Sequence, residues 1–142
     1  MTTKFGPLSY GWVALSALAE FSPKHYRISV DGHDRELDAM LIAVGNGGHF
    51  GGGMRICPYA SVVDGLLDIT IIHTVPRRTL LRCLPFLYAG RFTHLGFVET
   101  LRARRVDVDG EDMFAMADGE AIGDVPLSVV VRPSAVNLVG LP

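Results

Sequence analysis

The sequence predicts a mostly β, α+β domain: an antiparallel, sandwich- or barrel-like set of strands with two short helices. Three observations predict it. Many short apolar or alternating runs are separated by Asp-Gly turn signals at 31–32, 109–110 and 118–119. Only two stretches, near 8–21 and 76–87, place apolar residues at helical spacing. The length, 142 residues, suits one domain that can bury a real core.

The elements follow in order. Leu8, Trp12, Leu15, Leu18 and Ala19 form a helical stripe, and Pro23 lies just past its end. The polar side of that stripe lacks Lys and Arg, so it reads as a helix packed on a sheet, not one lying on a membrane. From Tyr26 the period becomes two. Tyr26, Ile28 and Val30 alternate with Arg27 and Ser29, and Asp31-Gly32 signals a hairpin into Glu36–Val44. Six glycines between 45 and 53 then mark a tight bend or a backbone that must approach something closely. A short strand is expected at Met54–Cys57, then a loop to Asp64, then a buried strand at Leu67–His73. Pro76 opens a second helix through Leu80, Leu81, Leu84 and Leu87, and Pro85 should kink or stop it near Leu84. Gly90 closes that segment. Strands are expected at about 96–103, 104–108, 113–117, 127–131 and 135–138.

Composition excludes several classes. A formal net charge of −2 argues against broad electrostatic binding to nucleic acid or an anionic membrane. Two cysteines, Cys57 and Cys83, make no disulfide framework. No apolar run reaches the ~18 residues that span a bilayer, and the N-terminus lacks signal-peptide features. The expected location is cytoplasmic, with peripheral membrane contact left open. The five histidines show no metal spacing; His49, inside the glycine bend, is the one placed to matter. The glycines fit neither a P-loop nor a dinucleotide fingerprint, and no G-x-S-x-G elbow is present.

The pattern N-G-x-x-x-G-G-G-M-x-I-x-P-x-A-x-x-x-D-G-x-L-D, from Asn46 to Asp68, resembles the second domain of the diacylglycerol kinase catalytic family, which includes bacterial lipid kinases and sphingosine kinases. Asp118-Gly119-Glu120 and the spacing Pro126-(x)6-Pro133 agree with it, and the resemblance runs from Gly6 to Pro142. It implies the sandwich-like substrate-side lobe of an enzyme that moves the γ-phosphoryl group of ATP to a lipid hydroxyl with Mg²⁺. By position, Glu120 would be the general base and Asp118 its support. Blind, the same tripeptide reads as a hairpin turn, and Asp109-Gly110-Glu111 repeats it. The Asp64-Gly65 turn would hold Mg²⁺ through the Asp64 carboxylate and the carbonyls of Ser61 and Leu66; an ordinary turn is the alternative, and Asp68 reads as structural. Asn46, Gly47, Gly51 and Gly52 would line the substrate cleft. Lipid tails would need an apolar pocket between the sheets or beneath the second helix. Arg102, Arg104 and Arg105 read as a solvated strand face, with a phosphate or headgroup contact as the alternative.

The family's ATP-binding lobe carries a Gly-Gly-Asp-Gly-Thr loop, which this sequence does not contain. The expectation is therefore the second lobe alone, either a fragment or a protein encoded without its partner lobe, and inactive in isolation. Expected partners are a lipid substrate and that N-terminal lobe, with a homodimer left open and nucleic acid excluded. Two rivals remain: a non-catalytic lipid-binding or regulatory module, and a dinucleotide kinase of the NAD kinase type.

Overall fold

The chain is described by a computed structural model over residues 22–49, 53–118 and 120–137. The first expected helix, 8–21, lies outside these residues. Nine elements follow: β1 (Lys24–Val30), β2 (His33–Gly45), β3 (Leu67–His73), α1 (Arg77–Ala89), β4 (Val98–Ala103), β5 (Arg105–Gly110), β6 (Phe114–Ala117), β7 (Glu120–Asp124) and β8 (Leu127–Val130). The fold is mostly β and every strand pairing is antiparallel. Six strands share one sheet in the order β4-β3-β2-β1-β5-β8, and β6 pairs with β7 in a separate hairpin.

The predicted β1–β2 hairpin forms. Asp31 and Gly32 both take positive φ, 48° and 84°. That is the two-residue turn whose twist suits flanking strands, and Asp-Gly tolerates it best. The 13-residue β2 then changes partners part-way. Its first half pairs with β1, its second half pairs with β3, and the register is irregular between Ala39 and Leu41.

This long strand folds the sheet over. Neighbouring strands lie about 4.8 Å apart, so β4 and β5, four places apart, would sit about 19 Å from each other in a flat sheet. A single residue, Arg104, joins them, and Ala103 to Arg105 can span about 7 Å at most. The two halves therefore close on one another, and the strands that pass from one half to the other form the corners. Asp31 clamps the Arg104 corner: its carboxylate accepts from the backbone amides of Arg104 and Arg105 at 3.0 and 2.9 Å. Ile28, Ala39, Ile69, Ile71, Ala103, Val106 and Val108 fill the space between the halves. On the other side of β3, Ile72 packs with Met40 and with Leu80 of α1. β3 is thus covered on both faces, which is why its sequence is continuously apolar.

Five boundaries differ from the sequence reading. The strand expected at 54–57 is a single bridge at Met54. The α1 helix does not stop before Pro85; it runs to Ala89 because Leu80 and Leu87 anchor both ends in the core while Pro85 is exposed. Gly90 closes it in the left-handed region, with Arg91 N–H donating to Phe86 O at 2.9 Å. Asp109-Gly110 belongs to β5, and Glu120–Asp124 is a strand that the sequence reading lacked. Residues 135–137 form no strand, and Leu138 lies outside the described residues.

Candidate active site

The glycine bend sits where β2 ends. Gly45 faces Asp68 of β3, which faces Arg102 of β4. A Cβ on Gly45 would come within 3.1 Å of both Cβ and Sγ of Cys57, a fully buried side chain. Glycine is needed there for close packing. Asn46 and Gly47 are exposed, and a Cβ on Gly47 would meet only Val62 at 3.8 Å. Asn46 and Gly47 are therefore open to solvent, as a cleft lining requires. Gly51 and Gly52 lie outside the described residues. The loop beyond is tied down where the Thr70 hydroxyl donates to Ile56 O at 2.7 Å and Cys57 Sγ lies 3.4 Å from Asp68 O.

The Asp64 turn is next to this bend. Asp64 Oδ1 accepts the Leu66 amide at 3.0 Å, and Val63 N–H points at Ser61 Oγ at 3.5 Å. The other Asp64 oxygen forms an ion pair with Arg102, whose Nε is 3.4 Å from the largely buried Asp68 carboxylate. Of the expected metal set of Ser61, Asp64 and Leu66, the carboxylate is thus held by Arg102. The single carboxylate of that set is already neutralised by a guanidinium, which would repel a divalent cation. Among the described residues no three His, Cys, Asp or Glu side chains converge on a metal-sized space. The Asx turn and the Arg102 pair account for Asp64 without an ion. Arg102 thus has a role in the fold that the sequence could not show, because its partners are set by strand register. Arg105 is likewise paired, with Asp107 at 2.8 Å.

Asp118 and Glu120 occupy the tip of the β6–β7 hairpin. Asp118 has φ 51°, and Glu120 opens β7 opposite Ala117. Both are exposed, and neither has a hydrogen-bond or ion-pair partner among the described residues. The hairpin also exposes Phe114, Met116 and Ile122. Among the described residues no hydrogen bond or ion pair joins this tip to the glycine bend or to the Asp64 turn. The glycine bend and the Asp64 turn are brought together through the Gly45, Asp68 and Arg102 register.

Where an apolar lipid pocket is expected, between the sheets or under the helix, the described residues place buried side chains. Ile69, Ile71 and Val106 close the first space and Leu80 the second. An open groove of about 640 Å³ is lined by Arg27, Arg35, Asp107, Pro126 and Ser128 among others. Several of its charges are paired: Arg27 with Asp109 at 2.7 Å, Asp107 with Arg105 and Ser128. The Arg105 and Ser128 hydrogen bonds push the Asp107 carboxyl down to about 2.

The family model described as the YegS C-terminal NAD kinase beta sandwich-like domain matches residues 1–140. The chain belongs to this family. Among relatives of this YegS-type domain, "Diacylglycerol kinase" of Mycobacterium tuberculosis is 34% identical over 134 residues, covering 94% of this chain and 43% of that protein. "Probable lipid kinase YegS-like" of Pseudomonas fluorescens is 30% identical over 141 residues, covering 94% and 44%. A crystal structure of a diacylglycerol kinase from Bacillus anthracis str. Sterne matches with TM-score 0.59 at 19% identity, over 86% of this chain and 47% of that one; this likeness bears on fold alone. The chain spans less than half the length of the two relatives named here.

Proposed function

We propose that this domain is the substrate-side lobe of an ATP-dependent lipid kinase, and that Glu120 is the general base toward the lipid hydroxyl. The observation that carries the reading is the hairpin tip. Two carboxylates with no partner among the described residues stand exposed on a short, twisted ribbon beside apolar side chains, in a domain whose relatives are named diacylglycerol and lipid kinases. A phosphoryl-transfer site needs a carboxylate free to take a proton, and catalysis is otherwise positioning and charge stabilisation.

In this mechanism the lipid hydroxyl donates its proton to Glu120 as its oxygen attacks the γ-phosphorus. The bond from that phosphorus to the β-phosphate bridging oxygen breaks, and the electron pair leaves on ADP. Asp118, held at positive φ by the turn, fixes the direction of the tip. Phe114, Met116 and Ile122 offer apolar surface for the substrate or for a neighbouring lobe. ATP and any Mg²⁺ it carries belong to the phosphate-loop lobe that such an enzyme requires, and Asn46 and Gly47 face the cleft. No step is assigned to an ion at Asp64.

The test is Glu120→Ala in a two-lobe protein that includes this chain. Transfer of phosphate to diacylglycerol should fall by about 10²–10⁴-fold, with the melting temperature unchanged because Glu120 is exposed and unpaired. Retained turnover would remove Glu120 from this role.

A further inference from the structure

The chain's net charge hides a local asymmetry. Residues 69–98 contain Arg77, Arg78, Arg82 and Arg91 and none of the chain's 15 acidic residues. α1 lies in this stretch. Its Leu80 and Leu87 are buried against the sheet. Arg78 and Arg82, four residues apart, share the opposite face and are exposed. The apolar residues around them are not withdrawn: Leu81 is 42% exposed, Phe86 50% and Tyr88 39%. Tyr59, 63% exposed, stands at the C-terminal end of α1, where its hydroxyl lies 3.1 Å from Thr93 Oγ1.

We infer that the outer face of α1 is a docking surface for an anionic phospholipid bilayer. The argument rests on charge complementarity combined with exposed apolar bulk. A basic surface alone would suit any polyanion. Leu81, Phe86 and two tyrosines interleaved with arginines suit the headgroup–acyl boundary, where amphipathic rings and aliphatic side chains enter while guanidinium groups stay among the phosphates. The inference deepens the lipid-kinase reading, because a lobe that takes its substrate from a bilayer must meet that bilayer. The geometry favours it over docking of a protein lobe on this face, since a protein partner would have to supply a dense acidic patch.

The test uses the chain with sedimented vesicles of phosphatidylcholine alone, or mixed with phosphatidylglycerol, without diacylglycerol or ATP. The outcome is therefore independent of whether Glu120 is catalytic. The wild type should sediment with the anionic vesicles only and should be released by salt. R78Q/R82Q should lower the partition coefficient about tenfold or more, and Phe86→Ser should lower it with the arginines intact. All these side chains are exposed, so circular dichroism melting should not change. A wild type that stays in the supernatant with anionic vesicles overturns the inference. So does equal binding by wild type and R78Q/R82Q, or protection of this face by a separately supplied phosphate-loop lobe without any vesicle binding.

Discussion

Arg102 and Asp64 show how far a single residue's meaning depends on its partner. In sequence, Asp64-Gly65 carries a metal reading and Arg102 a solvated one. In the fold each is the other's counter-ion, with Asp68 sharing the guanidinium. Mg²⁺ should therefore leave the melting temperature of the wild type unchanged. Arg102→Gln should cost about 1–2 kcal/mol by unpairing Asp68 and should make the melting temperature rise with added Mg²⁺. A Mg²⁺-dependent rise already present in the wild type would restore the turn as a metal site. Gly45 was legible in a different way. Its glycine density signalled a close approach, and the partner is Cys57 at 3.1 Å, not a ligand. Gly45→Ala should destabilise by about 1–3 kcal/mol, measured by denaturant unfolding, because overpacking a filled core forces neighbours off their positions. The partners Cys57 and Arg102 were not legible, since both contacts depend on the tertiary fold and not on local sequence.

At the scale of elements, local chemistry carried most of the information. The Asp31-Gly32 hairpin, the buried β3 run and Gly90 as a helix stop all follow from turn residues, periodicity and capping. Errors arose where tertiary packing overrode a local rule. Pro85 did not end α1 because buried residues on both sides hold the helix, and β7 was missed because Gly123 and a bulge break its alternation. The contacts between elements were out of reach. One of them joins the two halves of the sheet: Arg35 of β2 binds Glu99 of β4 through two hydrogen bonds, at 2.8 and 2.7 Å, and His73 Nε2 of β3 lies 3.0 Å from the same carboxylate. The Arg35 hydrogen bonds hold the Glu99 carboxyl below its ordinary value of 4.5. A lowered folded-state value means that the stabilisation is present above the unfolded value and is lost as pH falls through the folded one. The melting temperature should thus drop on acidification below about 4.5, and Glu99→Gln should flatten that part of the profile while lowering stability at neutral pH. A profile unchanged by Glu99→Gln would mean that this clip does not couple to folding.

At the scale of the molecule, the mostly β, antiparallel class followed from turn signals and alternation, but the closure did not. One long strand, β2, and one abrupt corner, Arg104, turn six strands into two facing halves, and neither property is visible until the pairing is known. Among the described residues the space between the halves is a filled core, which only the pairing reveals. Among the described residues the fold leaves Asn46 and Gly47, the β6–β7 tip and the outer face of α1 exposed. The two relatives named above are more than twice as long as this chain. The proposed activity is phosphorylation of a lipid by this domain together with a phosphate-loop lobe. The direct measurement is transfer of the γ-phosphate of labelled ATP, by a two-lobe protein containing this chain, to a short-chain diacylglycerol or to NAD offered in parallel. The expected result is label on the lipid and none on NAD. Label on NAD, or no label on lipid from a folded protein that binds ATP, would rule out the lipid-kinase activity.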